Sequence, residues 1–499
     1  MNTICFLLHS SHPITSNLSN VVGKFYAKRL NILYFLLITL FPASSFATEK
    51  WSEKGNYDVS WFNSSEKDFV ISNEQELSGL AYLVNNGFTT FSGKTITLSS
   101  NISLSGKIWV PIGNEAFAFQ GTLDGNNFEI TGIEINRNSV ADPYVFYGFF
   151  GRTKSANIKN LKVNGIIDWE IDNYYPTQCI GSLVAKAENS KMCECVSNIS
   201  INYVREHTST HKYNIYLGGF VGISIGNTFE NCASKSRIYT TLGRYGYIDH
   251  GEFLVAGFCA YDKDSKCTYC GTEVDLDIRI SDTYNSPMGV FIGGLFGGAY
   301  GTTINSCYSI VSNVYYMNHE NSIISLNIAG LSCEHTITSN LGNTGVSNCY
   351  AIVKKVTAGT GNINTPVRFG GMLKSYTDYK SECYISNYSN NDVEFDCAKL
   401  SIKRGYDGLT TFSSSEMLTE EFVDELNMFF TLNGKEALWH IGKNGYPVIW
   451  DVFETNTSDV TNYVIDKGNK KKGKYIIDGE LIIINDDGVK YNIKGTKIE

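Results

Sequence analysis

A short glycine-centred signature recurs along the middle of this chain and restricts it to a repeat architecture. It occurs as GFFG, GSLVA, GGFVG, AGFCA, GGLFG, AGLSC and GGMLK. The steps between the reference glycines range from 33 residues (148 to 181) to 41 residues (330 to 371). A period in this range is typical of solenoids, propellers and arrays. The reference positions are Gly148, Gly181, Gly219, Gly257, Gly294, Gly330 and Gly371.

A second signature follows most of these glycines by about 13 residues. Asn precedes it in three units, and alternating β-branched residues follow it, as in CYSIVSNV (307–314). This alternation predicts strand, so each unit is interpreted as strand, turn, strand and loop. Glycine suits a corner where a Cβ would clash, and a buried free thiol behaves as a small apolar group that can stack in an interior ladder. The ladder positions are Leu161, Cys195, Cys232, Cys270, Cys307, Cys349 and Cys383.

The composition favours a β-rich chain and excludes one class of partner. The 499 residues include 46 Gly but 8 Pro, together with 31 Tyr and 28 Phe. The net charge is −9, and no basic stripe occurs outside Lys470–Lys472. Nucleic acid is therefore not an expected partner.

The amino terminus resembles an export signal. Lys28 and Arg29 precede an apolar run from Leu30 to Phe41, and Ala47 ends a stretch of small residues suited to cleavage. The run is too short for a permanent membrane span. We therefore expect a secreted protein that is extracellular or held on the outer cell surface.

The rest of the chain divides into caps, repeats and a tail. The segment 72–87 predicts a helix capped by Ser72 or Asn73, and 413–430 predicts a second helix with Ser414 or Ser415 near its N-cap. The segment 437–450 is predicted to close the last coil. The predicted boundaries are 1–47 signal peptide, 48–140 N-terminal cap and first coils, 141–400 repeats, 401–450 C-terminal cap, 451–474 linker and 475–499 β module.

Several motifs together resemble a known family. ELSGLAYLVNNG, ITLSSNISL, FQGTLDG, the GGLFG-type glycines and a closing W-x5-G-Y-P-V (Trp439 to Val448) follow one another between about 70 and 450. This order is similar to that in GLUG-motif repeat surface proteins of Bacteroidetes. The resemblance implies an all-β, right-handed parallel β-helix with small helical caps, and it implies little about activity.

The tail carries a second resemblance. Residues 475–499 are predicted to form three short strands, with Tyr491, Asn492, Gly495 and Ile498 near the end. This pattern is similar to the carboxy-terminal sorting modules of type IX secretion cargo, which implies contact with the secretion machinery. The alternative is a small β-cap or stalk.

No cofactor or metal site is predicted from the cysteines and histidines. Cys193–Cys195 and Cys267–Cys270 have spacings found in metal or redox sites, but one cysteine of each pair belongs to the ladder. Buried free thiols are the leading interpretation, with disulfides and zinc as alternatives.

Carboxylates provide the candidate chemistry for an enzyme. In VDLDIRI (274–280), Asp275, Asp277 and Arg279 alternate onto one strand face, which would suit a polysaccharide lyase or hydrolase. A solvated outward face gives the same pattern, so no catalytic residue is assigned and these three remain candidates.

The surplus length of each repeat provides the candidate binding surface. Insertions into repeats map to one face, often the binding face, and Tyr with Asn gives rigid contact area and adaptable hydrogen bonds. The alternative is that the aromatic side chains of these segments pack on the coil. We expect an adhesin-like protein that binds host glycoprotein or glycan; the alternatives are a polysaccharide lyase or hydrolase and a passive surface scaffold. The candidate ligand-binding residues are Tyr245, Tyr247, Tyr284, Tyr315, Tyr316 and Asn318.

Overall fold

The fold is taken from a computed structural model of the chain. No helix among the residues it describes is long and apolar enough to cross a membrane. The described residues are 49–137, 146–171, 177–205, 214–242, 252–280, 289–318, 326–336, 345–360, 367–377, 384–397, 400–403, 409–450, 473–477, 480–484, 490–492 and 497–498. The export signal predicted for 1–47 lies outside them.

The predicted parallel β-helix is confirmed. Three sheets run along a stack of coils, and the strands within each of them pair in parallel with the equivalent strands of the neighbouring coils. Sheet A has seven strands: Phe150–Lys154, Val184–Glu188, Val221–Ile225, Cys259–Lys263, Phe296–Tyr300, Ser332–Thr336 and Leu373–Thr377. Sheet B has eight: Phe146–Tyr147, Gln178–Gly181, Ile215–Gly218, Glu252–Ala256, Gly289–Gly293, Leu326–Ala329, Val367–Gly370 and Leu400–Lys403.

Sheet C is the largest and carries the long strands of the stack. An apolar core fills the space enclosed by the three sheets. Sheet C has twenty strands: Asp68–Ile71, Thr95–Leu98, Ile102–Ser103, Thr122–Asp124, Glu129–Asn136, Asn157–Ile171, Lys191–Arg205, Thr228–Glu230, Ala233–Leu242, Lys266–Thr268, Gly271–Ile280, Thr303–Asn305, Tyr308–Asn318, Val346–Ser347, Tyr350–Val353, Lys355–Thr360, Tyr384–Ile385, Asn387–Asn390, Glu394–Cys397 and Leu409–Phe412.

A left-handed backbone residue bends each coil just before the ladder position. Its φ lies between 51° and 58° in every described coil of the repeat region. Asn tolerates this conformation better than most residues, which explains why Asn often precedes the cysteine. The bending residues are Asn160, Glu194, Asn231, Tyr269, Ser306, Asn348 and Ser386.

The cysteine ladder is present, but its last member differs from the prediction. Each ladder thiol from Cys195 to Cys349 donates to the carbonyl two residues earlier, at 3.2 to 3.4 Å. In the last coil Asn387 takes the position: Tyr350 pairs with Tyr388, and the Asn387 side chain accepts from the Cys349 backbone N–H at 3.0 Å. Cys383 lies outside the described residues, four positions before Asn387 in the sequence.

The glycine corner needs two similar corrections. Tyr147 pairs with Ile180, so Gly148 lies in the same row as Gly181 and not in the row of Gly219. Gly181 pairs with Gly218, one residue before the reference Gly219, so the corner position of that coil is Ser182. A Cβ built on the corner glycines would lie 2.1 Å from the carbonyl oxygen of the next coil at Gly219 and 1.9 Å at Gly294. The backbones of neighbouring coils therefore approach too closely there for most side chains.

The first predicted helix covers the first coils. Helix α1 (Glu74–Asn85) begins after Asn73, whose side chain accepts from the Glu76 N–H, and the Glu76 carboxylate accepts from the Ser72 N–H. This pattern is similar to a capping box, with the Glu76 carboxylate bound to the residue before the N-cap. Leu77, Leu80 and Val84 of α1 are buried in the core of the stack.

The second helix is present but begins later than predicted. Helix α2 (Glu420–Leu432) has Thr419 as its N-cap; Ser414 and Ser415 lie before a separate 3-10 turn (Glu416–Leu418). Helix α2 packs on the outer face of sheet C against a ladder of tyrosines. That ladder comprises Tyr308, Tyr350 and Tyr388. The following segment includes a small antiparallel pair, His440–Ile441 with Pro447–Val448.

The tail forms four antiparallel strands rather than the three predicted. They are Gly473–Ile477, Glu480–Ile484, Lys490–Asn492 and Lys497–Ile498.

Candidate functional site

The long strands of sheet C that precede the aromatic surplus segments end along one edge of the stack. The last residues of consecutive long strands pair with one another: Leu242 with Ile280, Ile280 with Asn318, and Asn318 with Thr360. The chain then enters the strands of sheet B, which are also in register. We call this line of strand ends the loop edge. The connecting segments lie outside the described residues, and so do Tyr245, Tyr247 and Tyr284.

The three remaining candidate ligand-binding residues differ in their accessibility. Tyr315 is partly exposed on the outer face of sheet C. Tyr316 points the other way and is fully buried, and burial raises its pKa. It belongs to the core, so its predicted role in ligand contact is wrong. Asn318 is the last residue of its strand at the loop edge, and its side chain is outside the described part.

Tyr315 belongs to a compact polar and aromatic patch that also contains two of the candidate catalytic residues, Asp277 and Arg279. Tyr239, Asp277 and Tyr315 pair in register across three coils. The Arg279 guanidinium lies between the two rings, 5.4 Å from the Tyr239 centroid and 5.3 Å from the Tyr315 centroid. We call Tyr239, Asp277, Arg279 and Tyr315 the Tyr–Arg patch.

Arg279 is fixed in place by its hydrogen bonds. Its Nε and Nη2 donate to the two carboxylate oxygens of Asp277, at 3.0 and 2.9 Å. This bidentate pair raises the pKa of Arg279, and the flanking rings add cation–π attraction. The patch is therefore preorganised, because its cation and its rings hold one another in position.

Asp275 lies one row further from the loop edge and has different chemistry. Its Oδ2 is 3.6 Å from Nε of Arg237. Burial raises the pKa of Asp275, and the negative charge of Asp277 raises it further against the opposing effect of Arg237. Two residues apart on one strand, the two aspartates are separated by about 7 Å. Both Asp277 oxygens accept hydrogen bonds from Arg279, which makes Asp277 a structural partner rather than a free base.

Tyr239 lies outside the surplus segments, and Met317 lies within one but is not among the candidate binding residues. Tyr239 lies within the strand Ala233–Leu242, outside the obvious aromatic runs. Met317 pairs with Arg279 and exposes 43% of its surface. Aligning the strands by the ladder cysteines would have found Tyr239, because that alignment places Tyr239 and Asp277 in one row. It would not have paired Met317 with Arg279, because the register shifts by one residue after Val274.

A buried polar network lies at the end of sheet A. The Asp262 carboxylate is fully buried and accepts from the Thr302 hydroxyl, and burial raises the pKa of Asp262 to about 6. The His335 Nε2 lies 3.2 Å from the Thr302 carbonyl oxygen, and burial lowers the pKa of His335 to about 4. Ser224 is buried in the same network, 3.0 Å from Ser265. These groups have no access to solvent and form part of the scaffold.

Nine of the eleven described cysteines are buried, and Cys193 and Cys397 are partly exposed. All eleven described cysteines are free, and the Sγ atoms of Cys267 and Cys307 lie 3.8 Å apart. Within the described ranges, no three His, Cys, Asp or Glu side chains are grouped so that they could hold a metal ion. The outer face of the stack therefore provides the candidate site.

Comparison with known proteins does not extend this picture. No protein-family model matches the chain, and no curated protein matches it significantly. The functional argument therefore depends on the fold and on the groups that the fold exposes.

Proposed function

We propose that this chain is an exported, cell-surface β-helix protein of the adhesin type that binds host glycoprotein or glycan at the loop edge. The observation that carries the proposal is the register of the long strands. Because Leu242, Ile280, Asn318 and Thr360 end on one line, the Tyr- and Asn-rich segments that follow begin side by side. Segments inserted at one face of a repeat stack are often its binding surface.

The Tyr–Arg patch supplies described groups at the base of this edge. Arg279 precedes the last strand residue, Ile280, by one position, and it is about half exposed. Tyr, Arg and Met are enriched where proteins bind partners, since they give large contact area with a polar tip or an adaptable chain. The fixed geometry of Arg279 lowers the entropy cost of binding.

The surface location is part of the same proposal. Its support is the export signal at 1–47, the similarity to GLUG-motif repeat surface proteins, and the resemblance of 475–499 to type IX sorting modules. Deleting 475–499 should leave the protein inside the cell envelope, and surface labelling of intact cells measures this. Unchanged surface labelling of the deletion variant would favour the cap or stalk alternative.

Binding is tested with the mature chain, residues 48–499. We expect saturable binding to a mucin, a matrix glycoprotein or a member of a glycan array. Arg279→Ala and Tyr315→Ala should each weaken it about tenfold or more, as central contacts do. Arg152→Ala is the matched control, because Arg152 also pairs with a carboxylate, Glu188 at 2.8 Å, but lies on sheet A. Failure to bind any of these ligands would remove the basis of the adhesin proposal.

One observation favours the enzymatic alternative, a polysaccharide lyase or hydrolase. The raised pKa of Asp275 is a property of carboxyl groups that donate protons. Under the adhesin proposal, acidic polysaccharides incubated with the protein release no reducing or unsaturated ends. Release that is abolished by Asp275→Asn with Asp277→Asn would replace the adhesin proposal with the enzymatic one.

A further inference from the structure

The outer faces of sheets A and B meet at the glycine corner and form a concave surface. On sheet B, Tyr216 and Leu254 point away from the core and pack against Ala185 and Ala260 of sheet A. These contacts connect side chains from the two sheets on the outside of the stack. We call this surface the A/B cleft.

A row of aromatic rings lines the cleft along the axis of the stack. Tyr216, Tyr261 and Tyr300 come from three consecutive coils, with ring centroids 5.7 and 5.3 Å apart. Phe291 packs in the same cluster. Tyr261, Phe291 and Tyr300 are all partly exposed, so their rings remain available to solvent.

A glycine at the fifth coil makes room for one of these rings in the cleft. The row of sheet A that carries Tyr261 continues with Gly298 and then Glu334. A Cβ on Gly298 would lie 2.9 Å from the Tyr300 ring and 3.0 Å from Leu254. Tyr300 occupies this space and donates its hydroxyl proton to the Glu334 carboxylate.

The polar groups of the cleft are mainly acceptors. Glu334 lies at one end, and the charge of Glu252 acts on all three tyrosines. The Asn214 amide donates to the Tyr216 hydroxyl at 2.9 Å. Two cations lie at the rim: Lys263, which pairs with Tyr300 and is exposed, and Lys186, whose Nζ is 5.8 Å from the ring centroid of Phe146 in the same cluster.

These groups define one class of ligand. Aromatic rings with a few oriented polar groups are the usual lining of small-molecule sites. Coils repeat about every 4.8 Å, which is close to the length of one pyranose unit in a linear chain. Carboxylates accept hydrogen bonds from sugar hydroxyls, but they repel the negatively charged carboxylates of uronic acids. We propose that the A/B cleft is a second binding site, independent of the loop edge, that takes a linear neutral hexose chain across about three coils.

The test uses the mature chain, residues 48–499, and titration calorimetry. The probes are neutral α-1,4-glucose, β-1,4-glucose and β-1,4-mannose oligosaccharides of two to six units, with galacturonate oligomers as the anionic comparison. We expect one neutral series to bind, with affinity that rises up to about three units and then levels off. Galacturonate oligomers should not bind.

Variants locate the binding. Tyr261→Ala and Tyr300→Ala should weaken it at least about tenfold. Glu334→Gln and Tyr300→Phe keep the shape of the cleft and should weaken it by a smaller factor, which separates lost contacts from lost folding. Lys355→Ala, which removes an ion pair with Glu394 on sheet C outside both proposed sites, should leave oligosaccharide binding unchanged. The proposal is overturned if no neutral series binds, if the four cleft variants bind like the wild type, or if galacturonate binds best. None of these results bears on glycoprotein binding at the loop edge.

Discussion

At the residue scale, the repeated positions are determined by how closely one coil approaches the next. The space beside several corner glycines is filled by hydroxyl side chains from sheet C. A Cβ on Gly257 would lie 2.6 Å from Thr272 Oγ1, and one on Gly294 would lie 2.0 Å from Ser309 Oγ. Both the neighbouring backbone and the neighbouring side chains therefore require glycine, which has no side chain, at these positions.

Replacing a corner glycine should destabilise the stack. In Gly294→Ala the new methyl group would meet the Gly330 carbonyl, so we expect the free energy of unfolding to fall by about 1–3 kcal/mol, as in other overpacked sites. Gly359→Ala is the control, since its nearest neighbour is the end of the flexible Met317 side chain. Chemical denaturation measures both. Equal stabilities of the two variants would contradict this account of the corner.

The buried Asp262 should make stability depend on pH. Its folded pKa of about 6 is raised from 3.8, so its contribution is fully present below pH 4 and is lost as the pH rises through 6. His335 acts oppositely: its folded pKa of about 4 is lowered from 6.5, so its contribution is lost as the pH falls through 4. Relative to wild type, Asp262→Asn should gain stability as the pH rises from 4 to 7. Parallel stability curves for the two proteins over this range would contradict the assignment.

From the sequence, the corner and ladder positions could be assigned only approximately. Some assignments are shifted by one residue, and one ladder position holds a different residue type. The glycine and cysteine ladders were predictable from the sequence, because close approach of the coils at the corner and burial at the ladder position both limit which residue types fit. Gly181 was assigned wrongly because the true corner residue, Ser182, is small enough to fit beside another glycine. Asn387 was missed because an amide meets the same hydrogen-bonding need as a thiol.

At the element scale, helix α2 stabilises the outside of the stack. Tyr308 and Tyr350 stack with their rings 5.6 Å apart, and the Tyr350 hydroxyl donates to the Pro447 carbonyl at 2.7 Å. The apolar face of α2 predicted a packed helix. Its partner surface was not predictable, because the alternating pattern of a strand does not show which of two apolar faces is covered by a distant segment.

Truncating the buried face of α2 should loosen this cover. Phe430 is buried against the tyrosine ladder, so Phe430→Ala should cost about 3–5 kcal/mol. Leu432 exposes 79% of its surface, and Leu432→Ala should change stability by less than about 0.5 kcal/mol. Thermal unfolding followed by circular dichroism compares them. Similar losses in both variants would show that α2 does not pack as described.

At the scale of the whole molecule, the repeated coil positions maintain the fold, and the proposed binding surfaces lie outside those positions. Stability in a repeat stack is approximately a sum over coils and their interfaces, so segments outside the coils can vary without loss of the fold. The architecture was predictable because each coil needs similar residue types at the same corner and ladder positions. The Tyr–Arg patch and the A/B cleft were not, since each joins residues of several coils that become neighbours only through register.

Replacement of the connecting segments tests the central claim, binding at the loop edge, most directly. Residues 243–251 and 281–288 are exchanged for Gly/Ser linkers of equal length in the mature chain. Affinity is then measured for the mucin or matrix glycoprotein that the wild type binds, and a thermal melt checks that the coils remain folded. The account predicts a loss of at least about tenfold in affinity with the melting temperature preserved. Undiminished binding by the folded, loop-replaced protein would contradict it.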